Sequence, residues 1–349
     1  MNSKPLIIGD LKAEIPVVQG GMGVGVSLSR LAGAVAKAGG IGVISTAQIG
    51  FRDPEFEKHP IECNLKAIGE EIRKAREIAE GGILGVNIMV ATQRYEEYVT
   101  AAVKAGIDLI ISGAGLPMDL PKLVEGSKVK IAPIVSSVKA LKVIAGYWKK
   151  KYNKTPDMIV VEGPMAGGHL GFSKDEIETL TPQVYDEEIK KIIACANELE
   201  GEHGNPPIVV AGGVFERKDM EHYLAMGASG VQMATRFVTT PECDAHENYK
   251  KAYMNAKKED IVIVKSPVGM PGRAIHNAFL DRVAEGERFM RGCRRCIKTC
   301  KPDTAPYCIT EALVNAVEGR IDEGLIFCGS NAWRLDRMET VQSIMEEFA

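Results

Sequence analysis

The stretch DMIVVEGPMAGGHLGF, Asp157–Phe172, joins a short apolar run to a glycine-rich turn that carries one histidine, His169. The run shows no polar alternation, as expected of a parallel strand buried on both faces. Seven more runs share its character: PVVQ (Pro16–Gln19), IGVIST (Ile41–Thr46), ILGVNIM (Ile83–Met89), DLIISG (Asp108–Gly113), KIAPIVS (Lys130–Ser136), PIVVAGG (Pro207–Gly213) and GVQMAT (Gly230–Thr235). Amphipathic segments lie between them. Two of these, Leu28–Gly39 and Arg94–Gly106, end in Gly as a helix C-cap does. Eight strands alternating with helices is the count of a (β/α)8 TIM barrel, an α/β fold. A doubly wound open sheet is the rival arrangement.

Composition bounds the function. The chain has 349 residues, 45% hydrophobic and 26% charged, with a formal net charge of −3. Such a balance argues against a broad nucleic-acid footprint. No apolar run reaches the roughly 20 residues of a membrane span, and the amino terminus has no secretory h-region. The expectation is a cytoplasmic protein acting on a small molecule, with a homo-oligomer left open. In that compartment the eight cysteines are expected to be mostly reduced.

Three segments depart from the strand–helix rhythm. Ser45–Glu71 reads as an insertion after the second strand. Glu259–Val283 carries SPVGMPGR, a glycine-proline loop. The last part of the chain is a cysteine-bearing extension, expected to be helical and packed on the barrel. The boundaries are a barrel over 1–285 and an extension over 286–349.

Barrel chemistry sits at the C-terminal ends of the strands. There, AGGV after the seventh strand and the end of the eighth form a plausible phosphate cradle, because glycine frees backbone N–H groups to face an anion. The plain alternative is that these glycines only make tight turns. His169 lies about six residues past a strand end in a turn of little bulk, which suits general acid/base work. The plain alternative is a surface or satisfied core histidine. Glu162 stands at the strand end itself, to orient a ligand or to cap loop amides.

Cys293, Cys296, Cys300 and Cys308 follow a C-x2-C-x3-C-x7-C spacing. Four thiols this dense in a reducing compartment read as a metal site, an iron–sulfur cluster or structural zinc. Arg291, Arg294, Arg295, Lys298 and Lys301 flank them. The alternative is a helix that buries cysteines on one face at i, i+3 and i+7. Cys63, Cys195 and Cys243 are isolated.

PVVQGGMG, GGIGVIST, GVNIM, SGAGLP, EGPMAGGHLG, IVVAGGV and GVQMATRFV fall in an order that resembles the nitronate monooxygenase (2-nitropropane dioxygenase) family. That family includes FMN-dependent enoyl-acyl-carrier-protein reductases. The resemblance spans residues 5–285 and implies an FMN-binding barrel. It implies that Gln19, Gly21, Met22, Asn87 and Ala114 meet the flavin. Glu162 and Gly167 would lie on its sugar-phosphate side, and Gly212, Gly213, Ala234 and Thr235 would cradle the phosphate. His169 matches the catalytic histidine. Some nitronate monooxygenases carry a lysine on the fifth strand; here Ile134 stands about there and Lys139 comes too late. Glu162 replaces the Asp of some members. Both features are closer to the enoyl reductases. The extension matches neither branch.

The leading reading is therefore oxidation of alkyl nitronates by an FMN oxidoreductase. The alternative is an NAD(P)H-dependent reductase of an enoyl thioester. Two other classes are a flavin-free barrel that uses the same cradle for a substrate phosphate and a non-catalytic subunit whose cysteine-bearing extension is an interaction module.

Overall fold

A computed structural model describes residues 3–349. The chain starts with a hairpin, β1 (Leu6–Ile8) and β2 (Leu11–Ala13). There follow β3 (Val17–Gln19), β4 (Ile41–Ser45), β5 (Ile83–Met89), β6 (Leu109–Gly113), β7 (Lys130–Val135), β8 (Ile159–Glu162), β9 (Gly168–His169), β10 (Ile208–Ala211) and β11 (Gly230–Met233). All of these from β3 on, except β9, close into a parallel barrel, with β11 returning to β3. The eight expected strands are therefore the eight barrel strands. The hairpin was not foreseen. Its Leu6, Ile8 and Ala13 are buried against Val18, Ile41, Leu109 and Met158 and plug the N-terminal end.

Register sets the height of the active face. Glu162 pairs with Ala211, Gln19 with Met233, and Asn87 with Ser45. Strand ends at one level deliver the residues after them to one mouth. The Ser45–Glu71 segment proves to be a connection over 46–59 followed by the first half of a long helix, Pro60–Ala79.

After the barrel the chain turns back over this mouth. A second hairpin, β12 (Ile261–Lys265) and β13 (Pro271–Ile275), spans the SPVGMPGR loop. β13 also pairs with β14 (Ile326–Phe327) and with β9, placing Gly272 opposite His169. The turn that holds His169 is thus a strand in a small antiparallel sheet. Residues 286–308 contain no helix or strand, so the extension is helical only at Ile309–Val317 and Val341–Phe348, apart from single 3-10 turns. Among the described residues no helix is long and apolar enough to cross a membrane.

The last helix returns to the barrel. Val341, Ile344, Met345 and Phe348 are buried against Leu31, Val35 and Phe237. Such side chains each contribute about 1.5–3 kcal/mol over exposure. Arg236, 6% exposed, fastens this helix by ion pairs to Glu339 at 3.0 Å and Glu347 at 2.6 Å. Removing one member of a buried pair leaves the others uncompensated. Arg236→Leu is expected to cost about 3 kcal/mol, read as a lower urea midpoint with an unchanged slope.

Candidate active site

All eight strand ends open into one cavity of about 400 Å³, roofed by the small sheet and by residues 296–329. Its wall includes Gly21, Met22, Asn87, Ala114, Glu162, Gly167, His169, Gly212, Gly213, Ala234 and Thr235. Gln19 stands outside it. That side chain is fully buried, accepts a hydrogen bond from Val43 N at 3.0 Å, and donates to Gly20 O. It braces β3 against β4 beneath the cavity floor.

Gly167 explains how the EGPMAGGHLG turn can lie flat. A Cβ at this position would meet the backbone of Cys328 at 2.6 Å and Gly329 N at 2.7 Å. Its absence lets β9 pair with β13 while residues 328–329 pass directly over it. His169 is then held from two sides. Ser266 Oγ meets its Nε2 at 2.7 Å, and the Phe327 ring packs edge-on at 4.8 Å between centroids. Val268 N donates to the same Ser266 oxygen at 3.4 Å. Burial pushes the His169 pKa down to about 4, so the ring is neutral across the physiological range.

Glu162 shows the opposite shift from the same cause. Burial pushes its pKa up to about 7. Its carboxyl has no hydrogen-bond or ion partner among the described residues. Tyr185 instead donates to the Glu162 backbone carbonyl at 3.1 Å and to Ser136 O at 3.0 Å, which fixes the strand end. No lysine, arginine or aspartate lines the cavity.

One end of the cavity is built for an anion. Gly212 and Gly213 have φ of +98° and +85°, a left-handed backbone that glycine adopts without strain. Their N–H groups, and that of Gly329, bond no protein acceptor among the described residues. Asn331 Nδ2 donates to Gly213 O at 2.7 Å and Ser330 N to Met165 O at 3.2 Å, so the extension stitches these turns together. Behind them lies Arg273, 7% exposed, whose guanidinium donates to Ala166 O and has no carboxylate partner among the described residues. Unoccupied amides, a glycine cradle and a buried unpaired cation together suit a phosphate.

Several wall residues escaped the sequence reading. Ser266 acts behind His169, and Met270, Phe327, Cys328 and Gly329 line the cavity. The SPVGMPGR loop was visible, but its return to the mouth needs the β13 pairing. The FCG segment, Phe327–Gly329, gave no signal beyond one cysteine. Gln48 and Ala114 line the cavity with φ of +48° and +52°, rare for residues with a Cβ and concentrated at functional sites.

The cysteine run is placed differently from either expectation. Residues 293–300 are not helical, so the cysteines share no helix face. Cys293 is exposed, Cys300 half-buried, and Cys296 and Cys308 are buried, all as free thiols. Among the described residues no three His, Cys, Asp or Glu side chains form a group able to hold a metal ion. The four cysteines do line a single side pocket of about 500 Å³.

Comparison with known proteins follows this geometry. A model of the nitronate monooxygenase family matches residues 4–349, so the match includes the cysteine extension that the motifs had left out. A probable nitronate monooxygenase of Staphylococcus saprophyticus is 25% identical over 307 residues, 80% of each chain. The (3aS,4S,5R,7aS)-5-hydroxy-7a-methyl-1-oxo-octahydro-1H-indene-4-carboxyl-CoA dehydrogenase of Mycobacterium tuberculosis is 28% identical over 277 residues, 79% of this chain and 67% of that one. The structure of FabK from Thermotoga maritima superposes with a TM-score of 0.73 at 25% identity, covering 96% of this chain and 92% of FabK. The chain belongs to the nitronate monooxygenase family of FMN-dependent oxidoreductases.

Proposed function

We propose that this oxidoreductase binds FMN and reduces the activated double bond of an acyl thioester, with NAD(P)H as electron source. The observation that carries the reading is the charge of the cavity. It has no lysine or arginine in its wall, its histidine is neutral above about pH 4, and its one carboxyl is half-protonated at about 7. A neutral thioester enters such a site without an unpaired charge, whereas a nitronate anion would find no cation. Met22, Met89, Val268, Met270 and Leu313 supply apolar wall, and the Mycobacterium relative is named for a CoA thioester.

The residues fit FMN. Gly212, Gly213, Thr235 and Gly329 would hold its phosphate, with Arg273 adding positive charge behind Ala166. Gly21, Met22, Asn87 and Ala114 would border its ring, and Glu162 and Gly167 the chain between. Bound FMN supplies a two-electron carrier between one substrate and the next. His169 offers Nδ1–H to the thioester carbonyl while Ser266 holds Nε2. The roof excludes water from the same space.

Oxidation of nitronates is the second reading. The Staphylococcus relatives carry that name, and an Nδ1–H donor also suits a nitronate oxygen. Anaerobic reduction with NADH or NADPH separates the two. Rapid reoxidation by an enoyl thioester supports the first. Reoxidation only by oxygen, with nitronate turnover, supports the second.

His169→Ala is expected to keep the flavin and lower kcat/KM by about 10²–10⁴-fold; an unchanged value removes the histidine from the chemistry. Gly213→Asp combines a strained backbone with like charge beside a phosphate, so FMN should bind about 100-fold more weakly, measured by fluorescence titration of the apoprotein. The third expectation concerns pH. The Glu162 pKa is raised on folding, so the native state holds a proton that the unfolded chain has lost. Apoprotein stability should therefore fall as pH rises from the ordinary carboxyl range through about 7, and level off above it. His169, depressed to about 4, acts oppositely and only below its ordinary 6.5. Between pH 6.5 and 7.5 the decline belongs to Glu162, and Glu162→Gln should flatten it in thermal melts.

A further inference from the structure

The proposed function leaves the cysteine pocket unexplained. Cys293, Cys296, Cys300 and Cys308 come from a segment, residues 286–308, with no helix or strand, yet all four reach one pocket. Loops of this length without regular structure are uncommon in compact domains and are usually functional. Two backbone features adjoin the sulfurs. Arg295 N donates to Cys293 Sγ at 3.4 Å across the Cys293–Cys296 turn. Cys308 is the N-cap of Ile309–Val317, where helix N–H groups lack partners. Arg94, Arg294 and Lys298 also line it; the two arginines are held by Glu62, Glu97 and Glu57.

Backbone strain marks the same place. Apart from the helix C-caps Glu80 and Asn153, the non-glycine residues with positive φ divide between the main cavity and this pocket. Arg94 and Arg295 are those at the pocket, with φ of +56° and +48°. The pocket is also joined to the main cavity, because Cys296, Ile297 and Ile309 line both.

We propose that Cys293, Cys296, Cys300 and Cys308 bind a thiophilic metal centre, zinc or an iron–sulfur cluster, that orders residues 286–308 as part of the active-site roof. Metal binding and local folding are commonly one event, and the four thiols already share one pocket. Loading draws Cys293 and Cys300 inward toward the better-buried Cys296 and Cys308. This inference stands apart from the choice of substrate.

The test uses full-length protein purified without oxygen and reconstituted with Zn²⁺ alone, or with Fe²⁺ and sulfide. After gel filtration, about one zinc or one cluster per chain is expected. Bound iron with acid-labile sulfide and absorption beyond the flavin bands identifies the cluster; bound zinc with only flavin absorption identifies the structural ion. Loading should protect the 286–308 segment from proteolysis, and chelation should restore cleavage there. Cys293→Ser removes an exposed thiol and leaves the core intact, and it should weaken binding by about 100-fold or more. Cys300→Ser should do the same. Cys195→Ser, in the Pro182–Ala196 helix, should retain wild-type metal. Wild-type protein that holds neither zinc nor a cluster overturns the proposal, as does a folded Cys293→Ser, Cys300→Ser double variant that binds metal like the wild type.

Discussion

The pairing of Gly168–His169 with Gly272–Arg273 is the constraint on which the site depends. A turn of this composition has little side-chain bulk to hold it, and alone it would sample many conformations. Pairing converts it into a strand and fixes the imidazole against Ser266 and Phe327. The same β13 holds Phe327 through β14 and sends Arg273 to the Ala166 carbonyl. One short strand therefore positions the histidine, the aromatic ring behind it and the buried cation beside the anion-binding end. Gly167 is the condition for all three, since a methyl group there would meet the crossing backbone at residues 328–329.

The electrostatics follow from that enclosure. A buried guanidinium with only a carbonyl partner is costly by itself, and burial holds the Arg273 pKa below its ordinary value. No carboxylate among the described residues pairs with it, and Glu162 at the neighbouring strand end makes no ion pair. Arg273 thus retains a charge that favours an anion at the Gly212–Gly213 end. The wall around His169 stays uncharged. Desolvation thereby leaves the cavity wall without a charged base while a buried cation stands behind the Gly212–Gly213 turn.

Much of the barrel was legible because its signals are local. Runs such as KIAPIVS and PIVVAGG are too apolar and too short for anything but buried strands, and all eight are strands of the barrel. The order of strand ends likewise gave most of the cavity wall, since in a parallel barrel each end opens on the same face. Gln19 was placed at the flavin by the family resemblance; its amide is instead consumed by Val43 N and Gly20 O, a side-chain choice that no spacing reveals. Ser266, Phe327 and Arg273 were illegible for a different reason. Arg273 sits on β13, which pairs with β9 from about a hundred residues later, Ser266 on the loop that leads into it, and Phe327 on β14 beside it, and β9 has only two residues. A glycine-rich turn and a two-residue strand look alike until the partner strand is known.

The extension shows where selectivity within such a family can reside. Barrel strand ends are held by a closed ladder in which shifting one strand disturbs its neighbours. Side chains that descend from the roof carry no such restriction. Val268, Met270, Leu313 and Phe327 line the cavity from segments outside the barrel, and the family match runs through them to residue 349. The boundary near residue 285 marks where regular structure lapses, not where the active site ends. Cys296, Ile297 and Ile309 line both the main cavity and the cysteine pocket, so the order of the 286–308 segment bears on the shape of both. A change that loosens the segment must also widen or distort the wall that a substrate meets.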